Sequence, residues 1–139
     1  MPFGHGPCFS AGLDLAERTA RGAAAVFYHS RGWHAVFRRS RSGHVPAVAA
    51  IHGACVGGRL ELAAACHIRV ANGTAFFALP EGSRCIFVGG GASVHVSRLI
   101  GTPLMTDMML TGRALDAAAA EQAGLAARLK KRAAKAGEA

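Results

Sequence analysis

One stretch restricts the fold more than any other. Residues 45–51, Val-Pro-Ala-Val-Ala-Ala-Ile, form a continuous apolar run between Gly43 and Gly53, and residues 52–61 follow as His-Gly-Ala-Cys-Val-Gly-Gly-Arg-Leu-Glu. A strand that is apolar on both faces needs cover on both, as a parallel strand has inside an α/β protein. Pro46 stands near its start, where a missing N–H costs least. Glycines end the run, and residues 57–66 have the alanine and leucine content of a helix. Such a junction leaves unpaired N–H groups at the positive end of a helix dipole, and glycine lets a ligand approach the backbone closely. That is the chemistry of an anion or oxyanion site, and Glu61 on the same helix adds a carboxylate. A Gly-Gly step is as often only a tight connection, so these residues alone leave both readings open.

The 139 residues suit one domain, and a half-hydrophobic composition suits a globular one. Sixteen Lys and Arg against eight Asp and Glu give a net charge of +8. This would match a partner rich in phosphate, without choosing between nucleic acid, an anionic membrane surface and a phosphorylated small molecule. A nucleic-acid reading rests only on that charge and the 130–135 basic cluster, with neither aromatic interleaving nor a binding motif. Cysteines 8, 55, 66 and 85 contain no C-x-x-C pair, and reduced core thiols are expected. The seven histidines include no pair at helical metal-ligand spacing, so no metal site is expected. The first residues lack a basic region followed by an apolar run, and no apolar stretch approaches the length of a membrane span. A cytoplasmic protein is expected.

Residues 9–15 read as a short strand ending in a turn, with Gly12 for permissive dihedrals and Asp14 as a helix cap. A helical but interrupted pattern covers 15–41, with Val26, Phe27, Trp33, Val36 and Phe37 as its apolar face and Arg31, Arg38, Arg39 and Arg41 as a solvated one. Ser42 and Gly43 stop it. Residues 67–71 alternate as a strand, Asn72-Gly73 is a turn, and 74–79 returns as a second strand. The triplet Gly89-Gly90-Gly91 matches no nucleotide-loop pattern. Helices are predicted from 92 to 99, ending at Gly101, from Pro103 to about 110, ending before Gly112, and from an Asp116 cap to about 123, closed by Gly124. Residues 125–139 read as a helical, weakly amphipathic tail. Alternating strands and helices make the class α/β.

Two glutamates stand in apolar contexts: Glu61, and Glu81 after Leu79-Pro80. Paired carboxylates in an apolar pocket can have their pKa values pushed up and apart, so that one holds a proton while the other accepts one. Each could instead be structural, Glu61 satisfying neighbouring backbone and Glu81 capping a loop. Ser10 lies in no nucleophile elbow.

Taken in order, the motifs resemble the enoyl-CoA hydratase/isomerase family, also called the crotonase family, from residue 9 to about 125. Phe-Ser-Ala-Gly-Leu-Asp-Leu at 9–15 is similar to its first oxyanion segment, and residues 45–63 are similar to its second. Ala-Cys-His-Ile-Arg-Val-Ala at 65–71, Phe-Ala-Leu-Pro-Glu at 77–81, Gly-Gly-Gly-Ala-Ser at 89–93, Arg-Leu-Ile-Gly at 98–101 and Met-Met-Leu-Thr-Gly-Arg at 108–113 continue in family order. The resemblance implies a partial crotonase-like ββα spiral. Its substrate would be a coenzyme A thioester, with coenzyme A entering as part of that substrate and no separate cofactor. The N–H groups of Leu13 and Gly58 would form the oxyanion hole, Glu61 and Glu81 would be the catalytic pair, and Ala11, Asp14, Leu15, Gly57 and Gly89 would line the substrate site. The implied reaction is addition of water across the 2,3 double bond of a trans-2-enoyl-CoA. Double-bond isomerisation, and a catalytically impaired remnant that binds acyl-CoA or assembles with a longer relative, are the alternatives. The family's homo-trimers or hexamers rest on C-terminal helices absent from this sequence. A core domain is expected over 1–127, with a frayed basic tail over 128–139.

The sequence departs from the family pattern at Arg59, usually a third glycine, which would either reach solvent or obstruct the acyl pocket. Cys85 replaces a usual glycine, and Val88 a frequent proline. Ala16 stands where hydratases can carry a phosphate-contacting lysine, leaving that role to Arg18, Arg21 or other residues.

Overall fold

A second strand follows the apolar run, in a different sheet. In the computed structural model, which describes residues 6–10, 12 and 22–130, the run forms β1 (Val48–Ile51) and the residues beyond His52 and Gly53 form β2 (Ala54–Val56). Gly53 makes this break with φ of +55°, and a Cβ there would lie 2.6 Å from the Pro7 carbonyl oxygen. Only glycine fits both demands. The expected single strand feeding a helix is therefore corrected to two strands in two sheets. β1 pairs in parallel with β3 (Ile68–Asn72), which pairs in parallel with β6 (Arg128–Lys130). β2 pairs in parallel with β4 (Phe76–Ala78), which pairs antiparallel with β5 (Ala114–Asp116).

The segment ahead of the first helix lies against β2. Ser10 bridges Cys55 in parallel, the Ser10 N–H donates to the Ala54 carbonyl (2.9 Å), and the Val56 N–H donates to that of Ser10 (3.3 Å). The turn at Asn72-Gly73 is present, with Asn72 Oδ1 accepting from the Thr74 N–H and hydroxyl. It carries the chain from β3 into the other sheet and does not pair β4 with β3.

Five α-helices are described: α1 (Ala23–Ser42), α2 (Gly58–Ala65), α3 (Ala92–Ile100), α4 (Thr102–Thr111) and α5 (Ala117–Gln122), with a 3₁₀ turn at Gly82–Arg84. Their ends follow the local chemistry. Gly101 separates α3 from α4, Gly112 closes α4, and the Asp116 carboxylate accepts the Ala119 N–H at 2.8 Å as the cap of α5. α3 packs on both α2 and α4. Phe9, Ile51, Cys55, Leu60, Phe77, Leu79, Val96 and Met108 are among the residues of the common core.

Three expectations are corrected. On α1 the inward face contains Val26, Ser30, Trp33 and Phe37, at helical spacing, while Phe27 and Val36 are more than half exposed. Residues 27 and 36 point away from the stripe that a 3.6-residue turn draws through 26, 30, 33 and 37. Cys85 is exposed and Cys8 half-buried, so only Cys55 and Cys66 are buried thiols. Residues 128–130 are strand and not helix. Leu125 and Ala126 are buried, and the Ala127 N–H donates to the Arg69 carbonyl (2.9 Å), so pairing along β3 outweighs local helix propensity. No helix among the described residues is long and apolar enough to cross a membrane.

Candidate active site

The Gly57-Gly58 step lies between two carboxylates. Gly57 (φ +58°) turns the chain out of β2, its N–H donates to the Ala78 carbonyl at the end of β4 (3.0 Å), and Gly58 begins α2. A Cβ on Gly57 would meet Glu81 Oε1 at 2.9 Å, and one on Gly58 would lie 3.7 Å from Glu61 Oε2. Gly58 is at the first helical position, where the N–H has no acceptor within its own helix. The bare backbone of Gly57 is thus what admits Glu81, whereas a Cβ on Gly58 would make only ordinary contact with Glu61.

Glu61 is one turn into α2 and 5% exposed. The Gly90 N–H donates to both its oxygens (2.9 and 3.0 Å), and the Ala92 N–H to Oε1 (3.0 Å). These donors belong to the triple-glycine loop and the first turn of α3. Burial raises the Glu61 pKa, while the N–H groups of Ala92, Gly90 and Gly91 and the nearby His34 oppose the rise. Glu81, 6% exposed, follows β4 and opens the 3₁₀ turn, its carbonyl accepting the N–H groups of Arg84 and Ile86. Its Oε2 has no hydrogen-bond partner among the described residues. Burial, with the Glu61 charge adding to it, pushes the Glu81 pKa up to about 6 against the pull of its own backbone N–H and Arg84. Both glutamates are in one site, but only Glu61 is richly supplied with donors.

Gly12 takes φ of +101°, and a Cβ on it would lie 2.8 Å from the Val56 carbonyl oxygen, just before the Gly57 turn. Ala11, Leu13, Asp14 and Leu15, with Ala16, Arg18 and Arg21, lie outside the described residues. Gly89 borders the site, its carbonyl accepting the Ser30 hydroxyl at 2.7 Å. Arg59 is half-buried with its guanidinium over the Trp33 ring, 5.6 Å from the centroid. Cys85 takes the left-handed conformation (φ 53°, ψ 35°) that a glycine would take without strain, and Val88 packs against the core. No group of three or more His, Cys, Asp or Glu among the described residues is placed to hold a metal ion.

Sequence reasoning missed the donors of Glu61. The signal was there: a glycine triplet at the start of a helix marks free N–H groups. It matched no nucleotide loop, and its service to a carboxylate 29 positions earlier was not legible.

The enoyl-CoA hydratase/isomerase family model matches residues 3–134. The chain belongs to that family. Among its enoyl-CoA hydratase/isomerase relatives, the probable mitochondrial enoyl-CoA hydratase 2 of Arabidopsis thaliana is 37% identical over 117 residues, 84% of this chain and 39% of that protein. The fatty acid oxidation complex subunit alpha of Shewanella oneidensis is 42% identical over 123 residues, 84% of this chain and 17% of that one. A solved structure of a candidate enoyl-CoA hydratase from Rhodopseudomonas palustris is 52% identical, with a TM-score of 0.89 over 94% of this chain and 51% of its own. The chain therefore spans about half of that solved family member, and its open α/β architecture is the family's ββα spiral.

Proposed function

We propose that this member of the family carries an enoyl-CoA hydratase site in which water adds across the 2,3 double bond of a trans-2-enoyl-CoA. The observation that supports it best is the Gly57-Gly58 turn held between the buried carboxylates of Glu61 and Glu81. The thioester oxygen binds at the Gly58 N–H, where helix dipole and free donor favour a developing enolate. By resemblance to the family's first oxyanion segment, the second N–H is that of Leu13. Of the pair, Glu61 is the carboxylate oriented by the Gly90 and Ala92 N–H groups, and it takes a proton from water as the hydroxyl oxygen bonds to Cβ. Glu81, short of donors and with its pKa pushed up to about 6, gives a proton to Cα from its protonated fraction. Water is consumed, and the C=C π bond is replaced by C–O and C–H bonds.

Hydration of crotonyl-CoA by the purified chain tests this. Glu61→Gln and Glu81→Gln are each expected to lower kcat by about 10²–10⁴-fold. A rate unchanged in the double variant overturns the reading. Binding of the thioester without turnover selects the acyl-CoA-binding alternative.

A further inference from the structure

α1 contacts the active-site loop through one face. Ser30, His34 and Phe37 fall at i, i+4 and i+7 of α1, and each meets a different glycine of the triplet. The Ser30 hydroxyl donates to the Gly89 carbonyl at 2.7 Å. The fully buried Phe37 ring covers Gly90, with its Cε2 only 2.7 Å from where a Cβ would stand. The His34 ring, on an exposed residue, borders Gly91, its Cε1 3.5 Å from a Cβ built there. Gly90 and Ala92, either side of Gly91, are the residues whose N–H groups hold Glu61. A hydrogen bond and a buried ring thus hold two of three consecutive residues that carry no side chains of their own, and an imidazole borders the third.

We propose that Ser30, His34 and Phe37 are positioning residues: α1 sets the Gly89-Gly90-Gly91 loop so that the Gly90 and Ala92 N–H groups keep the Glu61 carboxylate in its acceptor orientation. Polyglycine is the least self-determined backbone available, and its conformational freedom has to be removed from outside. The N–H groups on Glu61 act against the rise that burial imposes on its pKa. Releasing the loop therefore moves that pKa further up. The other ionisable groups bearing on this site are Glu81, paired with Glu61, and His34 itself. His95 flanks Gly91 from α3, and His95 in turn feels Arg41, Arg98 and His34.

The proposal rests on the hydratase reading for its kinetic readout but not for its structural one. Ser30→Ala and His34→Ala are expected to lower kcat for crotonyl-CoA on the order of 10–100-fold with KM little changed. The acidic limb of kcat should move to higher pH, and Ser30→Thr should restore both. Arg38→Ala, on the exposed face of α1, is the control. Independently of turnover, Ser30→Ala should speed amide exchange at Gly90 and Ala92 and raise the Glu61 pKa followed by carboxyl NMR. Unchanged exchange and an unchanged Glu61 pKa in both variants overturn the proposal, whatever the activity. An unchanged rate in the Glu61→Gln, Glu81→Gln double variant overturns the hydratase reading alone.

Discussion

Glu81 shows how one residue's surroundings set a measurable property. Its folded pKa lies above its unfolded one, near 4.5, so the protonated form is favoured by the fold. The stability it contributes is complete below pH 4.5 and is lost as pH rises through about 6. The loss should be roughly 1–2 kcal/mol, and urea unfolding across that range should show a smaller loss in Glu81→Gln than in the wild type, the Glu61 pKa being raised as well. Cys85 offers a second test. A non-glycine residue at φ 53° costs about 1–2 kcal/mol, partly offset by the extra freedom glycine brings to the unfolded chain. Cys85→Gly is expected to stabilise by about 0.5–1 kcal/mol, seen as a higher thermal midpoint. Arg59, another departure from the family pattern, is braced on Trp33 of α1.

At the scale of elements, local rules were legible wherever the chain punctuates itself. Gly43, Gly101, Gly112 and Asp116 stop or start helices where the sequence puts them. Asp116→Ala should cost about 1 kcal/mol through the lost Ala119 N–H bond, measured by denaturant unfolding. What could not be read was which sheet each strand joins. β3 and β4 are separated by a short turn that in many proteins would make a hairpin, yet each pairs with a different half of the 45–56 run. The same limit applied to the site. The two glutamates and the glycine step were legible because residue type and position carry them. The grip of α1 on the 89–91 loop was not, since it depends on packing between segments some sixty residues apart.

For the molecule as a whole, Arg69 links the C-terminal passage to the centre. Its buried guanidinium donates through Nε to the Leu125 carbonyl (2.7 Å) and through Nη1 to that of Cys66 (2.7 Å), while burial lowers its pKa. Arg69→Met leaves two buried carbonyls without these donors and is expected to cost about 2–5 kcal/mol of stability by denaturant unfolding. The kcat of the folded fraction should be unchanged, because neither Glu61 nor Glu81 touches it. The break at His52-Gly53 has a wider effect. β1 and β2 belong to different sheets but are joined by only these two residues. A one-residue slip in either pairing would turn its buried side chains outward and, through so short a link, drag the other strand off its partner as well. Each sheet therefore proofreads the alignment of the other, and a misthreaded chain is penalised twice before the two carboxylates can ever meet across the Gly57-Gly58 turn.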